Sequence, residues 1–489
     1  MKKAASLFLA LIVLFSVLVL TAYSAPAKKS SKKKVTSPAL KDKLAAIASS
    51  KCLVQAKAGI KIISLDTGQT VFEKNAYEPL IPASNMKILT TAAALAYLKP
   101  EYQFRTVLFT DGKISDGTLR GNLYVKGCGA PDLVAENIWV MMQEFCSQGI
   151  KKIDGDIIGD DSYFDSATRP AAWPGSVKDN PYGAPISALS CNFNSVKITI
   201  APSYFGAKPY VFLFPFSDFF TIINNAITQN SKNHLLMSRV YENGQNRIVV
   251  NGSISTNSGG ISDYRSVDDP TLYTLSSIRE TLKTMGVQVT GTIRKGGVPS
   301  KARQVLIFNS RPLAQILYDM NKNSNNFIAE MVLKNLGAEI IGTPGTTEKG
   351  CEVAKMFMKD AGINISNLKI LDGSGLSRGN LLTADALVRI LSHMDSKFGE
   401  SYEFISSLPI GGADGTLERH FRNESVARKV RAKTGYINGV KSLSGYVENR
   451  SGERFAFAML VNKSRCGAFD AAEYLDDMCE AIALSTSLN

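Results

Sequence analysis

Hydrophobic and polar residues follow different periods along the 489-residue chain. Residues 57–65 and 69–73 alternate with a period of two on either side of a short turn, which predicts a β-hairpin. Residues 88–98 are rich in alanine and leucine and carry an apolar face at helical spacing. We therefore expect a buried helix that begins near Ser84. A first, shorter helix is predicted over residues 40–48.

The middle of the chain has a different texture. Short alternating runs, broken by glycine and asparagine, predict a β-rich inserted region of two subdomains over residues 101–304, with one helix near 137–147. Residues 39–100 and 305–489 are expected to form one α+β domain, an antiparallel sheet covered by helices. Its later elements are predicted as helices over 314–320, 326–335, 350–361, 383–394 and 468–484, and strands over 430–434, 442–449 and 454–462.

The N-terminus has the composition of a signal peptide. Lys2 and Lys3 precede an apolar run over 4–20, and small residues around Ser24 offer a cleavage site. An uncleaved signal anchor is the alternative, because the run approaches the length of a membrane span. Residues 1–24 are therefore predicted to direct export of the chain to the periplasm or the outside of the cell envelope.

A basic linker is predicted over residues 25–38. The stretch from Lys28 to Lys34 holds five lysines and contributes strongly to the net charge of +13. A solvated spacer is the favoured interpretation, and weak contact with an anionic wall polymer or membrane surface is the alternative. Because the chain is exported and its charge is concentrated in a tail, no nucleic-acid partner is expected.

Cysteine and histidine usage argues against a metal or cofactor site. The seven cysteines form no Cys-x-x-Cys pair, and their odd number leaves at least one thiol unpaired unless a bond is intermolecular. The three histidines, His234, His393 and His420, lack metal-ligand spacing. We expect no metal and no cofactor, and the scarcity of histidine makes lysine the natural candidate for a catalytic base.

Ser84 and Lys87 are the first candidate pair. On a helix, residues three apart share a face, so the two side chains should lie side by side. Free N–H groups at a helix N-terminus favour the negative charge that develops on a nucleophile. A lysine near the core and near other cations can be neutral and accept the proton of the serine. The alternative is that Ser84 caps the helix and Lys87 is a solvated surface lysine. A Ser-x-x-Lys motif taken alone favours this alternative.

Two downstream triplets change this balance, Ser324-Asn325-Asn326 between helices and Lys433-Thr434-Gly435 on a strand. Each alone has an ordinary structural interpretation, turn and cap chemistry for the first and an exposed strand rim for the second. Together with Ser84 and Lys87 they supply the parts that acyl transfer needs. Joint occurrence therefore favours a catalytic interpretation.

Each residue has a predicted role. Ser84 attacks, Lys87 takes its proton, Ser324 relays a proton to the leaving amine, and Asn326 orients Lys87 and binds the substrate amide. Desolvation and nearby positive charge, the latter supplied by Lys433, are expected to keep Lys87 neutral. The remaining candidates are predicted to bind the substrate. Lys433 and Thr434 bind its carboxylate, and Gly435 lets its backbone approach the strand closely. The N–H groups of Ser84 and Tyr436 form the oxyanion hole.

The three motifs, in this order, resemble those of penicillin-binding proteins and serine β-lactamases. The long insertion between Ser84 and Ser324 further resembles class C low-molecular-mass penicillin-binding proteins, the penicillin-binding protein 4 type. The resemblance covers residues 53–461 and includes further stretches at 159–165, 182–189, 372–378, 408–410 and 414–417.

The resemblance implies a serine D-alanyl-D-alanine carboxypeptidase and endopeptidase with a β-lactamase-like transpeptidase fold. Its substrate would be peptidoglycan stem peptides, and β-lactam antibiotics would be covalent inhibitors. Arg378 matches a family arginine that holds the diaminopimelyl end, and Asp160, or else Asp161, is chosen as the partnering aspartate. A structural ion pair is an equally open interpretation of Arg378. The chain departs from the family at Asn325, often aspartate, and at Cys128 in a glycine-rich turn.

Two rival functions remain at this level. A β-lactamase-like hydrolase would share the motifs but needs an efficient deacylation device, and the long insertion favours a polymer-facing enzyme instead. A non-catalytic wall-binding protein could keep the fold, but the intact Ser84, Lys87 and Lys433 argue against it.

Overall fold

The computed structural model describes residues 38–463 and 468–486. The predicted signal peptide and all but the last residue of the basic linker lie outside the described residues. Within them, no helix is both long and apolar enough to cross a membrane. The chain begins with α1 Pro38–Ala48, α2 Lys51–Gln55, β1 Lys57–Ser64, β2 Thr70–Lys74 and α3 Met86–Leu98. The predicted hairpin and both predicted helices of this segment are confirmed.

The inserted region follows, and it is rich in short strands as predicted. Its elements are β3 Arg105–Thr110, β4 Lys113–Ser115, β5 Thr118–Arg120, β6 Leu123–Gly127, α4 Ala135–Cys146, β7 Lys152–Asp154, β8 Ile157–Asp160, β9 Ser195–Ala201, β10 Tyr210–Phe214, β11 Phe220–Asn224, β12 Ile227–Gln229, β13 His234–Glu242, β14 Gln245–Ser255, β15 Ile261–Ser266, α5 Pro270–Thr284, β16 Gln288–Val289, β17 Ile293–Lys295 and β18 Arg303–Asn309.

The last part of the chain returns to helices and then to strands. Its elements are α6 Leu313–Lys322, α7 Asn326–Leu336, α8 Thr347–Asp360, α9 Ala384–Asp395, α10 Ser401–Ser407, β19 Val430–Ile437, β20 Val440–Glu448, β21 Arg454–Asn462 and α11 Ala468–Ala483. The five predicted helices and three predicted strands of this part are confirmed, with ends that differ by a few residues. The short helix α10 was not predicted.

The two ends of the chain build one antiparallel sheet in the order β19-β20-β21-β1-β2. The central strand β21 is buried along almost its whole length, which explains its continuous apolar sequence. Ile60 of β1 lies opposite Met459 of β21, so the first strand pairs with the last. Strand β19, which carries Lys433-Thr434-Gly435, lies at the edge of the sheet, where its backbone can meet an extended peptide.

Helix α3 is the buried centre of the α+β domain that the two ends of the chain form. Ala92, Ala93 and Ala94 are all fully buried, so the helix is surrounded on every side rather than half exposed. Small alanine side chains allow neighbouring helices to approach its backbone closely. This packing gives the turn at Ser84, directly before α3, a rigid support.

The inserted region contains four small sheets. Two of them have the orders β17-β8-β6-β3-β18 and β16-β7-β5-β4, the third is β10-β9-β15, and the fourth joins β11, β12 and β13 to β14. Strand β18 pairs with β3, with Leu306 opposite Leu108. Residues 305–309 therefore complete a sheet of the insertion, whereas the sequence predicted them in the α+β domain.

Helix α5 is a second helix in the insertion, where the sequence predicts one helix. Its sequence is rich in serine and threonine, which disguises the apolar face formed by Leu275, Ile278 and Leu282. A start signal was present, because the Asp269 side chain accepts from the N–H of Leu272 and Pro270 occupies the first turn.

Two hydrophobic cores are present in the described part of the chain. One fills the α+β domain, and the other lies among the strands of the insertion and α4 and α5. Phe164 and Ile186 of the insertion nevertheless belong to the first core. Part of the insertion is therefore packed directly against the helices of the α+β domain.

Candidate active site

The backbone around Ser84 is a short 3-10 turn, Ala83–Asn85, that leads into α3. The Asn85 side chain donates to the carbonyl of Lys433 over 2.8 Å, and the Ser442 hydroxyl donates to the carbonyl of Pro82 over 2.7 Å. Both bonds join the turn to the strands β19 and β20. Ser84 is thereby held between the N-terminus of a buried helix and the edge of the sheet.

Lys87 is fully buried, and its Nζ has three oxygen neighbours. It lies 2.7 Å from Asn326 Oδ1, 2.7 Å from the carbonyl oxygen of Ser374 and 3.1 Å from Ser84 Oγ. The amide and carbonyl oxygens can only accept hydrogen bonds. A neutral amine therefore donates to these two and keeps its lone pair for the hydroxyl proton of Ser84.

Burial lowers the pKa of Lys87, whereas the negative charges of Asp372 and Glu330 raise it. Burial has the larger effect, and the resulting pKa is about 7. Lys433 is also fully buried, and burial followed by the charge of Lys87 lowers its pKa well below the usual value. Desolvation, one of the two predicted causes, is thus the main reason for the low pKa of Lys87.

The loop that presents the Ser374 carbonyl was not predicted as part of the site. Glu330, buried on α7, accepts from the backbone N–H of Gly373 and from that of Ser374, the latter over 2.8 Å. Burial and the neighbouring Asp372 raise the pKa of Glu330 to about 8. These bonds fix the loop so that the Ser374 carbonyl points at Lys87.

Two residues of the insertion reach the same site. The Trp173 indole N–H donates to Asp372 Oδ2 over 3.0 Å, and Asn326 Nδ2 donates to the carbonyl of Tyr182 over 3.0 Å. The second bond orients the Asn326 amide, because only its nitrogen can face a carbonyl. Its oxygen is then left for Lys87, so the insertion helps to position Lys87.

A cavity of about 510 Å³ opens beside Ser84. Arg378 lies in its wall, and its Nη1 donates to the carbonyl of Asn438 over 2.8 Å. Five of the ten predicted site residues line it, on walls contributed by both the α+β domain and the insertion. Its lining comprises Ser84, Pro174, Val177, Tyr182, Ser324, Asn326, Gly375, Leu376, Arg378, Tyr436, Ile437 and Asn438.

Gly435 is required for the close approach of β19 to the nucleophile. A Cβ at this position would lie 2.1 Å from Ser442 Oγ, 2.9 Å from the carbonyl oxygen of Pro82 and 3.1 Å from the backbone nitrogen of Ser84. The neighbouring Thr434 hydroxyl bonds to that of Thr416 over 2.8 Å. Lys433 itself lies beneath this surface and donates to the carbonyl of Thr434 over 2.9 Å.

Asp160 is not brought to this cavity. Its carboxylate is buried and accepts from the N–H groups of Ser162 and Val298, each over 3.0 Å. Asp161 likewise turns inward, to the hydroxyl of Thr271. Both carboxylates stabilise local structure in the insertion, which corrects the prediction that Asp160 lines the substrate pocket.

The described residues hold no cluster of three histidine, cysteine or acidic side chains suited to a metal ion. Cys52 is disulfide-bonded, whereas the other described cysteines have free thiols: Cys128, Cys146, Cys191, Cys351 and Cys479.

Residues 40–483 match the model of the D-Ala-D-Ala carboxypeptidase 3 (S13) family. The chain belongs to this family. It is 32% identical over 440 residues to a D-alanyl-D-alanine carboxypeptidase of Actinomadura sp. strain R39, a match that covers 86% of this chain and 81% of the relative. It is 26% identical over 414 residues to a D-alanyl-D-alanine carboxypeptidase of Haemophilus influenzae, with 83% and 86% of the two chains covered.

The fold agrees with that assignment. The crystal structure of penicillin binding protein 4 from Haemophilus influenzae superposes with a TM-score of 0.78 at 25% identity, over 89% of this chain and 97% of the other. A second structure of that protein, with a TM-score of 0.73, is a complex with a β-lactam. The chain is thus a serine-type D-Ala-D-Ala carboxypeptidase with the α+β fold of penicillin-binding proteins.

Proposed function

We propose that the enzyme is a D,D-peptidase that forms an acyl-enzyme on Ser84 and cleaves both terminal D-Ala-D-Ala bonds and D-alanyl cross-links of peptidoglycan. The observation that carries the proposal is the environment of Lys87. Two acceptor oxygens, from Asn326 and Ser374, lie 2.7 Å from its Nζ, and Ser84 Oγ lies 3.1 Å away. This arrangement suits a neutral amine that accepts the serine proton.

In the acylation step, Ser84 Oγ attacks the carbonyl carbon of the penultimate D-alanine as its proton passes to Lys87. The N–H groups of Ser84 and Tyr436 stabilise the oxyanion. The C–N bond then breaks, and Lys87 passes its proton through Ser324 to the leaving amine, so that Lys87 is neutral again. In the second half, water attacks the ester and gives a proton to Lys87. The ester C–O bond then breaks, Lys87 returns the proton to Ser84 Oγ, and the shortened peptide leaves with a free carboxyl group. Bonds and protons balance without a cofactor.

Substrate recognition is proposed for both sides of the scissile bond. The donor peptide extends into the 510 Å³ cavity, where Arg378 and the exposed ring of Tyr182 can meet a polar, charged side-chain end such as that of diaminopimelate. On the leaving side, the Thr434 hydroxyl binds the substrate carboxylate above the buried Lys433. That carboxylate would favour the protonated form of Lys433 and complete an ion pair.

β-Lactams are proposed as covalent inhibitors that acylate the same serine. The β-lactam complex of the Haemophilus influenzae protein supports this for a relative of the same fold. Export by the N-terminal segment is proposed from sequence, and it would place the enzyme where its substrate is found. Contact of the basic tract with an anionic surface rests on composition alone.

The function is tested with purified protein and two substrates, a monomeric pentapeptide muropeptide and a cross-linked dimer. We expect D-alanine release from the first and monomer formation from the second, both lost in Ser84→Ala. Arg378→Ala should slow cleavage of diaminopimelate-containing substrates at least tenfold while acylation by penicillin changes little. Unchanged cleavage in Arg378→Ala would remove Arg378 from the pocket, and Ser84-independent D-alanine release would overturn the mechanism.

A further inference from the structure

A second cavity, of about 210 Å³, lies next to the catalytic strand. Thr434, Gly435 and Tyr436 of β19 form one wall, and Tyr436 also lines the cavity beside Ser84. The two cavities therefore follow one another along the same strand. Gly435 lines the second cavity, and a Cβ at this position would lie 3.1 Å from the backbone nitrogen of Ser84.

If the substrate runs along β19 as proposed above, the two cavities lie on opposite sides of the scissile bond. The larger cavity continues past Tyr436 to Asn438 and Arg378, whereas the second extends from Thr434 to Thr416. The carboxylate next to the scissile bond belongs to the leaving amino acid, and the proposed function places it at Thr434, above Lys433. The second cavity consequently begins where the leaving residue begins.

The lining of the second cavity combines apolar and polar groups. Leu443 and Leu475 provide aliphatic surface. His420 Nδ1 and Asp476 Oδ2 are hydrogen-bonded over 2.6 Å, and the Lys441 Nζ lies 4.3 Å from the centre of the Tyr436 ring. An extended methylene chain that ends in amide or carboxylate groups matches this sequence of surfaces.

We propose that this second cavity is the acceptor pocket for cross-link cleavage. It binds the side chain of the diaminopimelyl residue whose amine is the leaving group. That side chain has three methylenes followed by an amide-linked carbon, whereas a leaving D-alanine carries only a methyl group. The pocket therefore contributes to endopeptidase activity and is not used in carboxypeptidase activity. The inference rests on the proposed function and extends it to the leaving side.

The pocket can be filled from α11 without a change to the groups around Ser84. Ala472 is half-buried and lines the cavity, and its neighbour Glu473 is exposed on the same helix. Ala472→Leu and Ala472→Tyr fill the pocket in two steps, and Glu473→Tyr is the matched control. Thermal unfolding and the rate of penicillin acylation report whether each variant is folded. If Ala472→Tyr does not fold, the test rests on Ala472→Leu.

The readout is kcat/KM for the cross-linked dimer and for the monomeric pentapeptide. For the dimer we expect a loss of at least tenfold in Ala472→Tyr, a smaller loss in Ala472→Leu, and an effect mainly on KM. Pentapeptide cleavage should stay within twofold of wild type in all variants, as should dimer cleavage in Glu473→Tyr. In a Ser84→Ala background, Ala472→Tyr should also weaken dimer binding measured by calorimetry.

Equal losses on both substrates, or unchanged dimer cleavage in a folded Ala472 variant, would overturn the acceptor pocket. A wild-type enzyme that releases D-alanine but leaves the dimer intact would also overturn it, and the carboxypeptidase reaction on Ser84 would stand. Failure of the proposed function itself looks different, because wild-type enzyme would then show no Ser84-dependent cleavage of the pentapeptide.

Discussion

The charge state of Lys87 can be tested by replacing its hydrogen-bond partner Asn326 with the isosteric aspartate. The new carboxylate oxygen would lie about 2.7 Å from Lys87 Nζ, because Asn326 Oδ1 lies at that distance in the wild-type protein. At an effective dielectric constant of about 20, unit charges at this distance attract by about 6 kcal/mol, which corresponds to about four pKa units. Because the cavity admits water, we expect a smaller rise, of at least about two units, above the pKa of about 7.

The assay is the second-order rate of acylation by a reporter penicillin as a function of pH. Acylation needs the neutral amine, so the rate rises with pH through the pKa of Lys87. For wild type the midpoint is expected near pH 7. For Asn326→Asp the midpoint should move up by at least about two pH units, so that the rate at neutral pH falls at least about 50-fold and recovers about tenfold per pH unit up to the new midpoint.

The control is Asn326→Ala, which removes the same acceptor without adding charge. It should slow acylation at every pH but keep its midpoint within about one unit of wild type. Coincident midpoints for the aspartate and alanine variants would refute the assignment of Lys87 as the titrating base. A wild-type midpoint near the ordinary lysine value of about 10.4 would refute the low pKa itself.

Three further predictions follow from packing and hydrogen bonding. Gly435→Ala should displace the Ser84 turn and reduce the acylation rate at least tenfold in stopped-flow measurements, because its Cβ would lie 3.1 Å from the Ser84 nitrogen and even closer to other atoms. Trp173→Phe removes the indole donor of Asp372 and should lower the free energy of unfolding by about 1–3 kcal/mol in urea titration. Leu333→Ala, in the fully buried core, should cost about 2–5 kcal/mol without moving the pH midpoint of acylation.

The sequence predicted those parts of the site that are carried by local pattern. Alternation predicted the strands, helical spacing predicted α3, and three short motifs identified Ser84, Lys87 and Lys433. These signals lie within a few residues of one another along the chain. The fold then only had to bring the three motifs together, as the family resemblance implied.

The support of Lys87 could not be read in the same way. Glu330 and the Ser374 loop lie on different elements, and Trp173 joins them from the insertion. Such contacts depend on tertiary packing and leave no spacing signal. Asp372 stood in a recognisable stretch, but its function as a loop anchor required the geometry.

The misassigned aspartate has a related cause. Asp160 ends strand β8, and an alternating pattern cannot show whether a terminal side chain turns outward or inward. Its carboxylate satisfies backbone N–H groups of the adjoining loops. Tyr182 is the opposite case. Its stretch, residues 182–189, is part of the family resemblance, but no role is predicted for Tyr182 from the sequence. In the structure Tyr182 lines the cavity beside Ser84.

The most direct test of the proposed acyl-enzyme is the mass of the intact protein after incubation with penicillin, followed by peptide mapping. The account predicts one long-lived adduct, located on Ser84, and no adduct on folded Ser84→Ala. An adduct on another residue, labelling of Ser84→Ala, or folded wild-type protein that stays unlabelled would contradict it, and rapid turnover of the adduct would indicate a β-lactamase instead.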